Sequence, residues 1–149
     1  MKRFRFRQEA ALKYRAHLEH LAKLEVAKAQ ADLARSEKQI VIYKQNYAES
    51  ARHLAKRAQS GIGAYDYHMH AAYLLGIESH IQSETQNRQQ LFNTLRKRQQ
   101  ELAQKMIDKK ALEKLKERRK AEYYQMVRQT EQKELDDLTA IKQAGRMAG

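Results

Sequence analysis

Residues 60–63 read Ser-Gly-Ile-Gly and interrupt a chain that otherwise favours helix along its whole length. Each of the two glycines destabilises a helix by about 1 kcal/mol relative to alanine. Proline, the strongest helix breaker, is absent from the 149 residues, and good helix formers such as Ala, Leu, Glu, Lys, Gln and Arg dominate. The sequence therefore predicts one helix over about residues 4–59, a turn over about 60–64 and a second helix over about 65–142.

Long helices in water are stabilised mainly by packing, and a short connection makes consecutive helices antiparallel neighbours. A seven-residue step, which is typical of coiled coils, runs through both predicted helices. Its members are Val26, Leu33, Ile40, Tyr47 and Leu54 in the first helix and Ile81, Arg88, Leu95 and Leu102 in the second. We therefore predict an all-α fold, a single coiled-coil domain in which two long helices form an antiparallel hairpin.

The position of the turn also predicts the register of the hairpin. Facing residues should have numbers that sum to about 124, which places Phe4 near Lys120. The second helix then extends past the first by roughly 20 to 25 residues, as an overhanging C-terminal helix of about 30 to 40 Å. An unpaired helix that carries apolar side chains such as Leu135 and Leu138 needs a partner or stays partly unfolded.

A second apolar stripe lies about 100° around the first helix. Its members are Tyr14, Leu18, Leu21, Leu24, Ala27, Ala31, Ala34, Val41, Ala48 and Ala55. The facing segment 82–90 has no apolar residue and cannot cover two stripes. We therefore expect part of the stripe through Ile40, Tyr43 and Tyr47 to remain exposed as a partner-binding patch. The alternative is that these residues form an ordinary coiled-coil core.

Positive charge is concentrated at one end of the predicted hairpin. The chain has 30 Lys and Arg against 18 Asp and Glu, a formal net charge of +12. Residues 1–30 and 96–133 carry net charges of +5 and +7, and the antiparallel register brings these segments together. The region near the turn is almost neutral and is rich in tyrosine. We therefore predict a basic end and an aromatic turn end.

The sequence carries no motif for catalysis or for cofactor binding. The lack of Cys excludes disulfides and thiol catalysis, and no phosphate loop, dinucleotide fingerprint or serine-nucleophile elbow is present. His17 and His20 share a helix face but lack acidic partners in a metal-site pattern. We predict no catalytic, cofactor or metal site. Because no apolar run approaches about 18 residues, we also predict a soluble intracellular protein without a transmembrane segment.

Two other functions remain open from the residues alone. A net charge of +12 is typical of a helical hairpin that binds nucleic acid, although acidic residues dilute the basic ones and no groove-reading motif is present. A coiled-coil scaffold that forms homodimers through whichever stripe the hairpin leaves uncovered is the other alternative. Light scattering separates the scaffold from a monomer, and the salt dependence of duplex binding tests the first alternative.

Several stretches give the chain a likeness to a known family. They are residues 2–7 (Lys-Arg-Phe-Arg-Phe-Arg), residues 33–37 (Leu-Ala-Arg-Ser-Glu), residues 110–122 and residues 131–137, with Arg15 and Glu19. Across its whole length the sequence resembles the FliJ family of flagellar type III export proteins and the similar stalk proteins of needle complexes.

The resemblance implies a non-catalytic component of the flagellar type III protein export apparatus, similar to the central stalk of rotary ATPases. Such a protein binds and stimulates the export ATPase hexamer, contacts the cytoplasmic domain of the export gate and engages export chaperones. The resemblance further implies a cytoplasmic monomer that binds no nucleic acid and associates peripherally with the inner membrane through the export apparatus.

The resemblance and the charge pattern together indicate two sets of site residues. The set for the export gate lies near the turn and comprises Ser36, Ile40, Tyr43, Tyr47, Tyr73, Ile77, His80 and Glu84. The set for the ATPase ring lies at the basic end and comprises Arg3, Arg5, Arg7, Lys110, Lys114, Lys116, Arg118 and Arg119.

Overall fold

The computed structural model describes residues 2–148 and contains two α-helices in that range. Helix α1 spans Glu9–Ser60 and helix α2 spans Ala64–Ala148. Gly61, between the helices, has a φ of 89°, a left-handed backbone conformation that glycine adopts without the strain a side chain would bring. The predicted turn is confirmed to within one residue at each adjoining helix end.

The first helix begins later than the sequence suggested. Residues 2–8, which we call the strap, are not helical, and α1 begins at Glu9 instead of near Phe4. The backbone N–H of Glu9 donates to the carbonyl oxygen of Phe6 at 3.2 Å, and the Phe6 side chain is only 9% exposed. Aromatic residues alternate with arginines in the strap. Its non-helical conformation is favoured because it packs the aromatic rings against α2 and removes apolar surface from water.

The chain divides into two compact units, which we describe separately. The turn unit comprises His20–Ala103. The base unit comprises Met1–Glu19 and Gln104–Gly149. Each unit contains a segment of α1 and a segment of α2, and the two long helices pack against each other, so the all-α hairpin is confirmed.

Ion pairs across the helices establish the register within each unit. In the base unit, Lys116 Nζ lies 2.9 Å from Glu9 Oε2. In the turn unit, Arg98 Nε lies 3.9 Å from Glu25 Oε2. The residue numbers in these pairs sum to about 124, as the length of the turn predicts. The antiparallel register is therefore confirmed in both units.

The seven-residue step of α1 forms the seam between the helices of the turn unit. Within the seam, the buried hydrophobic side chains are those of Val26, Ala29, Ile40 and Leu54 from α1 and Ile77 from α2. The second stripe faces solvent instead, with Leu21, Leu24 and Val41 all exposed. The expectation that Ile40 is exposed is wrong, because Ile40 is 8% exposed and belongs to the seam. Tyr43 and Tyr47 are half-buried.

A hydrogen bond explains how the polar segment 82–90 covers the seam. Ser36 Oγ, which is buried, donates to Glu84 Oε1 at 2.7 Å. The half-buried side chains of Ile81 and Leu91 flank this polar layer. A small hydroxyl that is fully paired can occupy a seam position at little cost, so the absence of apolar residues does not expose the facing stripe.

In the base unit, the last part of α2 is exposed on all sides. Every residue from 128 to 148 is exposed, as expected of the predicted overhanging C-terminal helix. This helix reaches Ala148 instead of ending near residue 142, because the single Gly145 weakens a helix without terminating it.

Two isoleucines that are two residues apart in α1 test this assignment of the seam. Ile40→Ala should lower the free energy of unfolding by about 2 to 5 kcal/mol, because it leaves a cavity between the helices. Ile42→Ala removes the same atoms from a side chain that is 39% exposed and should cost distinctly less. Urea unfolding followed by circular dichroism at 222 nm measures both. Equal losses for the two variants would contradict the assignment.

Candidate partner-binding sites

Two ring systems from different helices stack at the edge of the seam in the turn unit. Tyr43 of α1 and His80 of α2 have ring centroids 5.5 Å apart and an interplanar angle of 17°. His80 is exposed and Tyr43 is half-buried. The structure therefore brings together two residues of the set expected for the export gate and leaves part of the stack accessible.

Three other residues of that set lie inside the seam. Ser36, Ile40 and Ile77 are buried, so they are not the exposed side chains expected of a partner-binding surface. Glu84 is half-buried and its Oε1 atom accepts hydrogen bonds from Ser36 Oγ and, at 3.2 Å, from Asn87 Nδ2. These side chains hold the two helix faces together beneath the exposed residues.

Tyr47 is a seam residue with a polar end. Its Oη donates to Glu78 Oε1 at 2.9 Å, and it shares the seven-residue step of Ile40 and Leu54. The hydrogen bond to Glu78 and the negative charge of that carboxylate raise the pKa of Tyr47. Tyr73, with 58% exposure, is by contrast well placed to contact a partner.

Apolar side chains outside the set expected for the export gate are also exposed in the turn unit. They include Val41, Ile42, Tyr65, Tyr67, Met69 and Leu75. Tyr73 also borders an open cleft of about 490 Å³, where the rings of His53 and His70 meet edge to face at 6.2 Å. Ile42, Met69 and Leu75 were not singled out in the sequence, although all three lie off the seven-residue step.

In the base unit, the strap presents three arginines to solvent. Arg3, Arg5 and Arg7 are exposed, whereas Phe4 is half-buried and Phe6 buried. No carboxylate within residues 2–148 forms an ion pair with these arginines. Their charges are therefore available to an acidic partner.

The cations of α2 in the base unit fall into two groups. Lys110, Lys114 and Arg118 are exposed and form no ion pair within the described part of the chain. Lys116 is bound to Glu9 at 2.9 Å, and Arg119 Nη1 lies 4.0 Å from Glu122 Oε2. The ring-binding set from the sequence thus contains one cation, Lys116, that joins the two helices.

Comparison with known proteins adds an independent observation. The model of the flagellar FliJ protein family matches residues 7–148. The chain belongs to the FliJ family. FliJ proteins are components of the flagellar export apparatus, and the sequence resemblance is confirmed. A search of curated proteins and a search of solved structures each returned no match.

The base unit of this FliJ-family chain contains a nearly buried ion pair. Lys109 Nζ lies 3.0 Å from Glu19 Oε2, and the Glu19 residue is only 6% exposed. The hydrogen bond to Glu19, together with the charges of Glu19 and Glu113, outweighs partial desolvation and raises the pKa of Lys109. Arg15 and Asp108 form a second cross-helix pair at 3.4 Å.

The raised pKa of Lys109 predicts how stability depends on pH. A lysine whose pKa is raised by folding stabilises the native state fully below its ordinary pKa of 10.5, and the contribution is lost as pH rises further. Arginine stays charged there. When the pH is raised from about 8 to about 11.5, the melting temperature of Lys109→Arg should therefore fall less than that of the parent. The control Lys110→Arg, at an exposed position, should follow the parent; identical curves for all three would contradict the prediction.

The described residues show neither a metal cluster nor a membrane-spanning helix. Within residues 2–148, no group of three or more His, Cys, Asp or Glu side chains is placed to hold a metal ion. Over the same residues, neither helix contains a segment that is both long and apolar enough to cross a membrane.

Proposed function

We propose that this FliJ-family chain is a non-catalytic, central-stalk-like coiled coil that binds and stimulates the export ATPase hexamer and links it to the export gate. The observation that carries the proposal is that the two units of the chain present surfaces of different chemistry. Unpaired cations are concentrated on the base unit, and exposed aromatic side chains are concentrated on the turn unit.

The base unit is the proposed site for the ATPase ring. Arg3, Arg5 and Arg7 on the strap, and Lys110, Lys114 and Arg118 on α2, are exposed and unpaired within residues 2–148. Such charges attract acidic loops over distances longer than contact and speed their association. A single stalk inside a six-fold ring contacts the six subunits unequally. It can therefore favour different catalytic states in different subunits without contributing a catalytic group.

The turn unit is the proposed site for the cytoplasmic domain of the export gate. Tyr73 is exposed, and the Tyr43–His80 stack is accessible at its edge. Tyrosine is favoured at interfaces because it buries a large surface and loses little side-chain entropy. We place Ser36, Ile40, Ile77 and Glu84 beneath this surface as supporting residues, and Tyr47 at its seam.

The proposal includes the setting in which the chain works. As a monomeric coiled-coil domain in the cytoplasm, it would reach the inner membrane only through the export apparatus. Export chaperones are further proposed partners. None of these interactions calls for a metal, a cofactor or nucleic acid.

Charge reversal in the base unit tests ring binding. The triple variant Lys110→Glu, Lys114→Glu, Arg118→Glu should stay helical, because the three side chains are exposed and unpaired. It should bind the ATPase at least about tenfold more weakly and stimulate ATP hydrolysis less. A matched control makes the same charge change in the turn unit with Lys38→Glu, Lys44→Glu and Arg52→Glu. Unchanged stimulation by the first variant, or equal losses for both, would refute the proposed surface.

Two equally exposed tyrosines test gate binding. Tyr73→Ala should weaken binding to the purified cytoplasmic domain of the gate by about 2 kcal/mol, roughly thirtyfold, while stability changes by less than about 0.5 kcal/mol. Tyr14 lies in the base unit with 59% exposure, and Tyr14→Ala should leave gate binding unchanged. Calorimetric titration measures both. Normal gate binding by a folded Tyr73→Ala variant would remove this surface from the proposal.

A further inference from the structure

An open cleft of about 480 Å³ lies between the strap and α2 in the base unit. Its floor is apolar and contains the side chains of Phe4, Phe6, Tyr123 and Met126. The volume lies in the range of pockets that bind small molecules or peptide side chains. The position of the strap creates this cleft, since a helical start at Phe4 would not lay the segment against α2 in this way.

Specific contacts hold the strap beside α2. The rings of Phe4 and Tyr123 have centroids 5.7 Å apart, and Tyr123 Oη donates to the carbonyl oxygen of Lys2. The backbone hydrogen bond from Glu9 to Phe6 fixes the point at which the strap joins α1. The cleft is therefore built by residues that are themselves anchored.

The rim of the cleft is strongly cationic. Arg5, Arg7 and Arg119 line it together with one carboxylate, that of Glu122. Glu122 lies 4.0 Å from Arg119 and so offsets that charge, whereas Arg5 and Arg7 have no acidic partner within residues 2–148. An occupant that matches this cleft must bring negative charge for the rim and an apolar group for the floor.

We propose that this cleft binds an acidic peptide segment that carries a bulky apolar side chain. The apolar side chain would pack on Phe4, Tyr123 and Met126, and neighbouring carboxylates would pair with Arg5 and Arg7. A polyphosphate backbone fits less well, because it has no apolar group for the floor and no N–H to donate to the Glu122 carboxylate, whereas a peptide offers both. This inference rests on the proposed function, since it names the chemistry of the partner segment at the basic end.

A labelled peptide provides the direct test with the full-length chain. The probe is fluorescein-labelled Gly-Ser-Asp-Glu-Phe-Glu-Asp-Ser-Gly, and fluorescence anisotropy measures its binding. Two comparison peptides replace Phe by Ser or replace every acidic residue by Lys. We expect the Ser peptide to bind at least tenfold more weakly and the Lys peptide not to bind. Equal binding of the Phe and Ser peptides would overturn the inference, because charge alone would then explain it.

Variants of the chain locate the binding. Arg5→Glu with Arg7→Glu should weaken binding of the Phe peptide at least tenfold, and Met126→Ser should weaken it severalfold. The matched control, Lys13→Glu with Lys133→Glu, makes the same charge change at exposed residues of the base unit outside the cleft and should bind like the parent. Circular dichroism checks that each variant is folded. Parent-like binding by folded Arg5→Glu, Arg7→Glu would overturn the inference.

Competition and ATPase binding complete the test. An unlabelled random DNA duplex at equal charge concentration should not displace the peptide, and displacement would overturn the inference in favour of a general polyanion surface. If the peptide fails to bind while the parent chain still binds the ATPase ring, the inference fails and the proposed function stands. If the parent chain does not bind the ring, the proposed function fails whatever the peptide does.

Discussion

The seam between two helices is the constraint on which the rest of this structure depends. Two helices can shield only the stripe where they meet, and no described side chain is fully buried; even Ile77 and Leu54 keep 6% and 7% exposure. Each seam residue therefore contributes a large share of the total apolar surface that folding removes from water. This explains why a chain with 42% hydrophobic residues still leaves Leu24 and Val41 at the surface.

Polar pairs within the seam favour one register in each unit. Glu19 meets Lys109 in the base unit, and Ser36 meets Glu84 in the turn unit. A shift by one heptad that brings Ile77 opposite Ser36 and Leu12 opposite Lys109 would place both polar groups against apolar side chains. An unpaired polar group at a seam position costs more than its pairing contributes. Sparse polar pairs can thus specify alignment in a seam whose apolar residues alone would tolerate sliding.

The sequence predicted those features that local chemistry determines, namely the glycine turn, both helices, the seven-residue step and the register. It did not predict which stripe is buried, because either stripe of an isolated helix could face a partner. The buried stripe is distinguished by a contact between the helices, such as the hydrogen bond from Ser36 to Glu84. The strap was missed because Phe4 and Phe6 are compatible with a helix when no partner is considered. Of the candidate sites, Tyr73 and the cations of the strap are exposed as expected, while Ile40 and Ile77 are not.

The exposed last part of α2 has a consequence for local stability. Residues 128–148 are helical and exposed, so the helix there is supported mainly by its own backbone hydrogen bonds and by local side-chain pairs such as Gln132–Asp136. Their amide hydrogens should exchange through local fraying, long before the seam opens. A molecule that docks along this segment would suppress that fraying, so amide protection there would report occupancy without any change in the shape of the chain.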